Sequence, residues 1–482
     1  MSLSPGAMPE LIQAGMGAYI SCSRLANVTA RLGALGVVSS VGLRHIIPEQ
    51  IRSGDEVAIS LARTFPIARY VEELLSYAPG GSRHKRAIPI DVPDPIKGAF
   101  AKRLSVISAY VEVARAKLGH RGFVGINVMW KCSLTVLPSI YGALLAGVDA
   151  FLCGAGVPME LPDIVGRIRR GQRLDYEPLT GTGTHVHMDI SEDGAENLLR
   201  DTPEPSLLPI LSNFAFCKRL LDTWQKRYEG ATPTAFVLEN HAAGGHNAQP
   251  RDKVAFGESD DIDAYFDKVM ELGVPVYVAG AFAEGGSRND LLYWQGRGAQ
   301  GIQVGSRFAL TDESGMRSDL RDRAVEAQAE GTLEIRTDPR LSPTGFPFKV
   351  VSMKGTLSEP EIQASQRRAC DLGYLLQSKR IQRPDGTEHE VYLCPAMPIH
   401  TYLANGGAIE DTEGRACLCN ALLVTAGFEK EGRVPLVTLG ESAAVGPVKR
   451  SAREVVEDIL TPERAADNER RLALREPIPV AS

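Results

Sequence analysis

The segment Glu239-Asn240-His241-Ala242-Ala243-Gly244-Gly245-His246-Asn247 follows the apolar run Ala235-Phe236-Val237-Leu238 and sets two glycines beside two histidines. Glycine has no Cβ, so Gly244 and Gly245 permit positive φ and close approach of the backbone to a flat ligand, while an imidazole exchanges protons near neutral pH. This is the pattern of a cofactor loop at the C-terminal end of a strand. His246 is the candidate catalytic residue. Beside a ligand with a reactive face it takes a proton from a carbon acid, gives one to a developing enolate, or holds negative charge by hydrogen bonding. His241 is assigned to the rim or to a supporting position.

Two further constellations have ligand-like spacing. His185, His187 and Asp189 fall at i, i+2 and i+4 of an alternating segment, one face of a strand, which suits either a metal or an ordinary solvated face. Cys370, Cys394, Cys417 and Cys419 are four thiols within fifty residues, the ligand number of an all-cysteine zinc or iron–sulfur site. A buried thiol cluster or a redox pair is the other reading, since C-x-C stands where zinc ribbons use C-x-x-C. The remaining cysteines, Cys22, Cys132, Cys153 and Cys217, sit singly in apolar segments and read as small buried hydrophobes. No G-x-S-x-G elbow, P-loop or H-E-x-x-H motif occurs. A G-x-G-x-x-G fingerprint after a first strand is also absent, so NAD(P)H enters only as a transient reductant.

These residues need a scaffold, and the apolar runs supply one. Expected strands are Glu10–Ala14, Leu35–Ser40, Phe123–Val128, Val148–Cys153, Leu208–Ser212, Ala235–Leu238, Val274–Gly280 and Gly301–Ser306, separated by helical stretches such as Ser23–Leu32 and Gly286–Arg297. Eight β/α alternations predict an α/β chain with a (β/α)8 TIM barrel over residues 1–315. Residues 45–120 exceed one β/α unit and are expected to be an inserted helical segment carrying a basic loop, Arg83-His84-Lys85-Arg86. Thr184–Asp189 reads as an extra hairpin strand on the rim. Residues 316–482 are expected to be an irregular C-terminal subdomain packed on the barrel, closing with a helix near Ala452–Leu474. In such a barrel the loops after the seventh and eighth strands, ending in Ala279-Gly280 and Gly305-Ser306, form the usual phosphate site.

The motifs Leu11-Ile12-Gln13-Ala14-Gly15-Met16, Ala242-Ala243-Gly244-Gly245-His246, Ala279-Gly280 and Gly301-Ile302-Gln303-Val304-Gly305-Ser306-Arg307-Phe308, in this order, resemble the nitronate monooxygenase family. The resemblance covers about the first two-thirds of the chain. Ser342–Lys349, Cys370–Tyr374 and Cys417–Leu423 resemble a longer branch that includes stand-alone flavin enoyl reductases of polyketide and polyunsaturated fatty acid pathways. The resemblance implies a TIM barrel binding FMN, with His246 as the active-site histidine. It implies one of two reactions. One is oxidation of a nitronate or nitroalkane with O2; the other is NAD(P)H-dependent reduction of an enoyl thioester, with an acyl carrier protein as partner. A flavin-binding scaffold without catalysis is a third reading, disfavoured by His246.

Gln13, Asn127 and Asn213 are expected to bring amides to the barrel mouth, where the polar edge of an isoalloxazine needs donors and acceptors. Ala14, Gly15, Met16, Glu239, Ala243, Gly244 and Gly245 complete the expected cofactor wall, with Ala279, Gly280, Gly305 and Ser306 at the phosphate. Asn213 departs from the lysine or threonine that the family often carries there.

At 482 residues and 44% hydrophobic content, the chain can bury a barrel-sized core and more. A net charge of −6 without a basic block argues against nucleic acid or an anionic membrane as partner. No run reaches the ~20 apolar residues of a membrane span, so a soluble cytoplasmic protein with a small-molecule or acyl-thioester substrate is expected. A homodimer is compatible with the sequence and not required by it.

Overall fold

The protein is described by a computed structural model covering residues 8–77, 95–180, 183–251, 255–382 and 386–474. Arg83, His84, Lys85 and Arg86 lie outside these residues.

Eight short strands form the centre: β1 (Leu11–Gln13), β2 (Leu35–Ser39), β3 (Val124–Met129), β4 (Ala150–Gly154), β5 (Ser206–Leu211), β6 (Phe236–Glu239), β7 (Val276–Ala279) and β8 (Gly301–Val304). All pairs are parallel and sequential, and β8 returns to β1 to close the barrel, with Ile12 opposite Gln303 and Gln13 opposite Val304. The strands are almost wholly apolar because both faces are buried. Ile12, Leu35, Val37, Leu152, Leu208 and Tyr277 point inward and form one cluster, with Met8 joining it from before β1. Outward residues such as Val38, Phe151 and Leu238 join a larger cluster with the helices. Each fully buried side chain of this kind contributes on the order of 1.5–3 kcal/mol.

Four helices lie between β2 and β3: Leu43–Arg52, Glu56–Arg63, Ala68–Tyr77 and Pro95–Ala116. The last packs along both the Ser23–Arg31 and Ser133–Leu145 helices, so it is the outer-ring helix of its own β/α unit. Among the described residues the extra helices are therefore the three within 43–77, a smaller insertion than 45–120. The rim segment is a full antiparallel hairpin, Leu174–Leu179 with Thr184–Met188, rather than a single added strand.

The C-terminal region has more regular structure than its Pro and Gly content suggests. Ile335–Asp338 pairs with Phe348–Val351, and Gln377–Gln382 pairs with Glu388–Leu393. The expected closing helix is two helices, Ala452–Leu460 and Pro462–Leu472, because Thr461 has a φ of 89° and Pro462 starts a new first turn. Leu341, Phe348, Leu418 and Val455 belong to the same buried cluster as Leu25, Ile46 and Trp294 of the barrel. Among the described residues no helix is long and apolar enough to cross a membrane.

Candidate functional site

The C-terminal ends of the strands open into a pocket of about 1500 Å³, including its mouth. The loop after β1 supplies Ala14, Gly15 and Met16, and Asn127 comes from β3. Asn127 lies directly over Gly15, where a Cβ would come within 2.1 Å of the asparagine Cβ. From β6 and its loop come Glu239, Ala243, Gly244, Gly245 and His246. Ala279, Gly280, Gly305 and Ser306 close the far end. Thirteen predicted site residues thus converge on one pocket; Gln13 and Asn213, the other two, do not line it.

Both exceptions have a local cause. The Gln13 side chain is spent inside the wall: its carbonyl oxygen accepts the Val37 N–H at 3.0 Å, and its amide donates to Ser21 Oγ at 2.9 Å. Asn213 is the N-cap of the Phe214–Arg227 helix and accepts the Phe216 N–H at 2.9 Å, the usual capping use of asparagine. The polar contact expected of Gln13 is offered by Gln303 on the paired strand. It is 4% exposed, lines the pocket, and its side-chain oxygen has no hydrogen-bond partner among the described residues. A buried amide oxygen left in this way fits a ligand donor such as the N–H edge of a flavin ring.

The glycines form a cradle. Gly280 has a φ of +81°, and a Cβ there would come within 2.9 Å of Ala243 N and Asn240 Oδ1. A Cβ on Gly244 would meet Gly440 N at 2.9 Å, so the tail backbone lies directly against this loop. The carboxylate of Asp290, itself buried, accepts the N–H groups of Ala283, Gly286 and Ser287 and shapes the loop after β7. Arg307, on the turn after β8, donates to Gly286 O at 3.0 Å and pairs with Asp458 of the tail at 2.7 Å. Gly440 N–H donates to Ser306 Oγ at 2.7 Å. These contacts fix two small-residue loops facing each other across a gap, which suits a phosphate.

His246 is also held by the tail. Gly245 N–H donates to Thr438 Oγ1, Lys349 N–H to Gly245 O, and Asn247 N–H to Pro347 O, each at 2.9 Å. The His246 ring packs edge-on to Phe348, and its Nε2 lies 2.7 Å from Ser342 Oγ. Burial and the nearby Lys131 ammonium hold its pKa at about 3. The ring is therefore neutral at physiological pH and serves as a hydrogen-bonding group rather than a resident acid. Burial alone pushes the Glu239 carboxyl up to about 7 and brings the Lys131 ammonium down to about 7. Motif reading missed Lys131 and Asp290, and it gave no role to Gln303 and Arg307, which lie inside the quoted Gly301–Phe308 motif.

Other candidates lie away from the pocket. His241 stacks on Phe256 with ring centroids 4.4 Å apart. His185 hydrogen-bonds Asp175 at 2.7 Å, His187 Nε2 lies 3.4 Å from Lys102 Nζ, and Asp189 accepts from Ser191, so each member of the strand-face trio has its own partner. Among the described residues no group of three or more His, Cys, Asp or Glu is arranged to hold a metal ion. That applies to the four tail thiols as well. Cys417 is the N-cap of the Leu418–Thr425 helix and receives the Asn420 side-chain amide at 3.3 Å. A hydrogen bond from the Cys419 thiol and the helix N–H groups lower its pKa. Cys419 moves upward in response and lines the main pocket.

No family model matches the chain. No curated protein matches it either. Among solved structures it is similar to FabK from Thermotoga maritima, with 14% identity over 96% of this chain and 94% of that chain and a TM-score of 0.45. It is similar to a nitroalkane oxidase from Streptomyces ansochromogenes, with 13% identity over 96% and 97% and a TM-score of 0.45. A third is the enoyl reductase domain of MlnA from the macrolactin biosynthesis cluster of Bacillus amyloliquefaciens, with 11% identity over 96% and 95% and a TM-score of 0.43.

Proposed function

We propose that the chain is an FMN-dependent oxidoreductase of the nitronate monooxygenase type, acting on a nitronate or nitroalkane with O2. The observation that carries this reading is the pocket itself. An orphaned Gln303 oxygen, the Asn127 amide and a glycine cradle converge at the C-terminal mouth of a closed barrel, beside a neutral histidine. When bound, FMN supplies the electron chemistry; the chain supplies position and electrostatics. Asn127 and Gln303 would hold its polar ring edge, and the loops bearing Gly280 and Ser306 its phosphate. His246, kept neutral, holds an anionic substrate oxygen by hydrogen bonding, and the Phe348 ring excludes water from one side of it. A nitronate arrives already deprotonated, so a weakly basic histidine is no obstacle.

A second reading is supported by one specific feature, a largely apolar side chamber of about 1140 Å³, including its mouth, that is lined by His246. It suits an acyl chain, and with it NAD(P)H-dependent reduction of an enoyl thioester delivered by an acyl carrier protein or pantetheine-linked donor. Anaerobic mixing of the FMN-loaded protein separates the two. Bleaching of the flavin band by a nitronate but not by NADPH supports the first reading, and the reverse supports the second. Protein that takes up no FMN overturns both.

A further inference from the structure

Lys131 is 6% exposed, directly follows Trp130 beyond β3, and has neither a hydrogen-bond nor an ion-pair partner among the described residues. Its ammonium lies 2.8 Å from the centroid of the Phe346 ring. A buried cation without an anion is costly unless something else supplies the charge. Lys131 borders the side chamber and not the main pocket, whereas His246, Glu239, Ala155 and Ile210 border both. The chamber's other lining is largely apolar, including Val157, Met159, Leu211 and Phe216. Its ionisable lining groups are Lys131, Arg219, Glu239 and His246.

We propose that Lys131 holds the negatively charged oxygen of the substrate and that the side chamber houses the substrate's carbon chain. The substrate class is thus an aliphatic molecule with an oxyanion head, either a nitronate or a thioester whose carbonyl oxygen gains charge during reaction. This rests on the reading of the main pocket as the flavin site, because it places the head at the junction marked by His246. Lys131 is a substrate-binding residue in this scheme, and its reach is to the chamber rather than to the cofactor.

The test uses straight-chain carboxylates, from acetate to decanoate, as inert probes. Trp130 is buried, and its indole donates to the carbonyl of Thr180, a chamber residue, at 3.0 Å. Its fluorescence reports occupancy with or without flavin, so a failure of FMN binding and a failure of the chamber are seen separately. Affinity should rise about fourfold per methylene until the chamber is full. Lys131→Met should weaken octanoate binding at least tenfold with the flavin titration unchanged and the melting temperature not lowered, and Lys131→Arg should restore most of it. Val157→Trp, which fills the chamber without touching the cation, should abolish the chain-length dependence while acetate still binds. With substrates, the chain-length dependence should appear in turnover of nitronates or of enoyl thioesters, which identifies the source of the head group. Equal octanoate affinity in Lys131→Met, or no dependence on chain length in the parent protein, overturns the proposal. Weakened FMN binding in Lys131→Met with carboxylate binding intact also overturns it and assigns the lysine to the cofactor.

Discussion

Gln13 and Gln303 sit on paired strands of the barrel with opposite fates: Gln13 is bonded within the wall, and Gln303 presents an unpartnered oxygen to the pocket. Gln303→Leu should therefore leave the melting temperature in place and weaken FMN binding roughly three- to tenfold, the value of one hydrogen bond. Gln13→Leu should strand the Val37 N–H and cost about 1–3 kcal/mol of stability. Paired FMN titrations and thermal melts check both, and a reversed pattern would reassign the two residues.

Gly305 and Gly280 distinguish filling from strain. Gly305 has a φ of −113°, and a Cβ there would make ordinary contact with Ala14 and Met16. Gly305→Leu should fold and melt like the parent but bind little FMN, because the side chain occupies ligand space. Gly280→Ala should lower the melting temperature as well, since its backbone is left-handed and crowded by Ala243 N. Retention of stoichiometric flavin by Gly305→Leu would remove that loop from the cofactor site.

His246→Ala should keep the flavin and lower turnover by roughly 10²–10⁴-fold if the ring acts on the reacting atoms. In the parent protein no inflection near pH 6.5 should come from His246, whose pKa of about 3 keeps it neutral. Steady-state pH profiles of parent and variant provide the check.

Stability should carry three separable pH signatures at this site. Glu239 keeps its proton to about pH 7 when folded, above the ordinary 4.5, so its contribution falls as pH rises between those values. His246 loses its proton early when folded, so its contribution rises with pH between about 3 and 6.5. The two oppose each other in the parent and are read from Glu239→Gln and His246→Ala separately. Lys131, lowered from 10.5 to about 7, adds a contribution that rises with pH across that window and should vanish in Lys131→Met. Chemical denaturation at fixed pH steps measures each difference, and flat differences would mean these groups are solvated.

Cys417 should be the first cysteine alkylated by iodoacetamide at pH 7. Its thiolate is favoured first by the hydrogen bond from the Cys419 thiol and then by the Asn420 N–H and side-chain amide, while burial pushes Cys370 up to about 11 and Cys132 up to about 12. Mass-spectrometric mapping over a time course gives the order, and Asn420→Ala should slow the Cys417 reaction.

The barrel and its glycine loops were legible in the sequence because apolar runs and small-residue stops are local signals. Which face a residue such as Gln13 takes was not, since strands buried on both faces lack the polar alternation that assigns sides. Asn213 did carry a usable signal: an asparagine immediately before a helical run reads as an N-cap. Lys131 carried one too, a lone charge in the apolar stretch Val128-Met129-Trp130-Lys131-Cys132. The tail's role was hidden for a different reason. Contacts such as Gly245 to Thr438 join residues 193 positions apart, and no local pattern announces which distant segment will cover a loop.

The clamp of Ser306 by Gly440 and of Arg307 by Asp458 spans 134 and 151 residues. Closing loops of that length is entropically slow and late. During synthesis the eight strands leave the ribosome long before the segment that completes the phosphate end of the pocket. On the FMN reading proposed above, flavin loading would follow emergence of residues 440 to 458, and a nascent chain that already has its barrel would still lack the clamp that retains the cofactor.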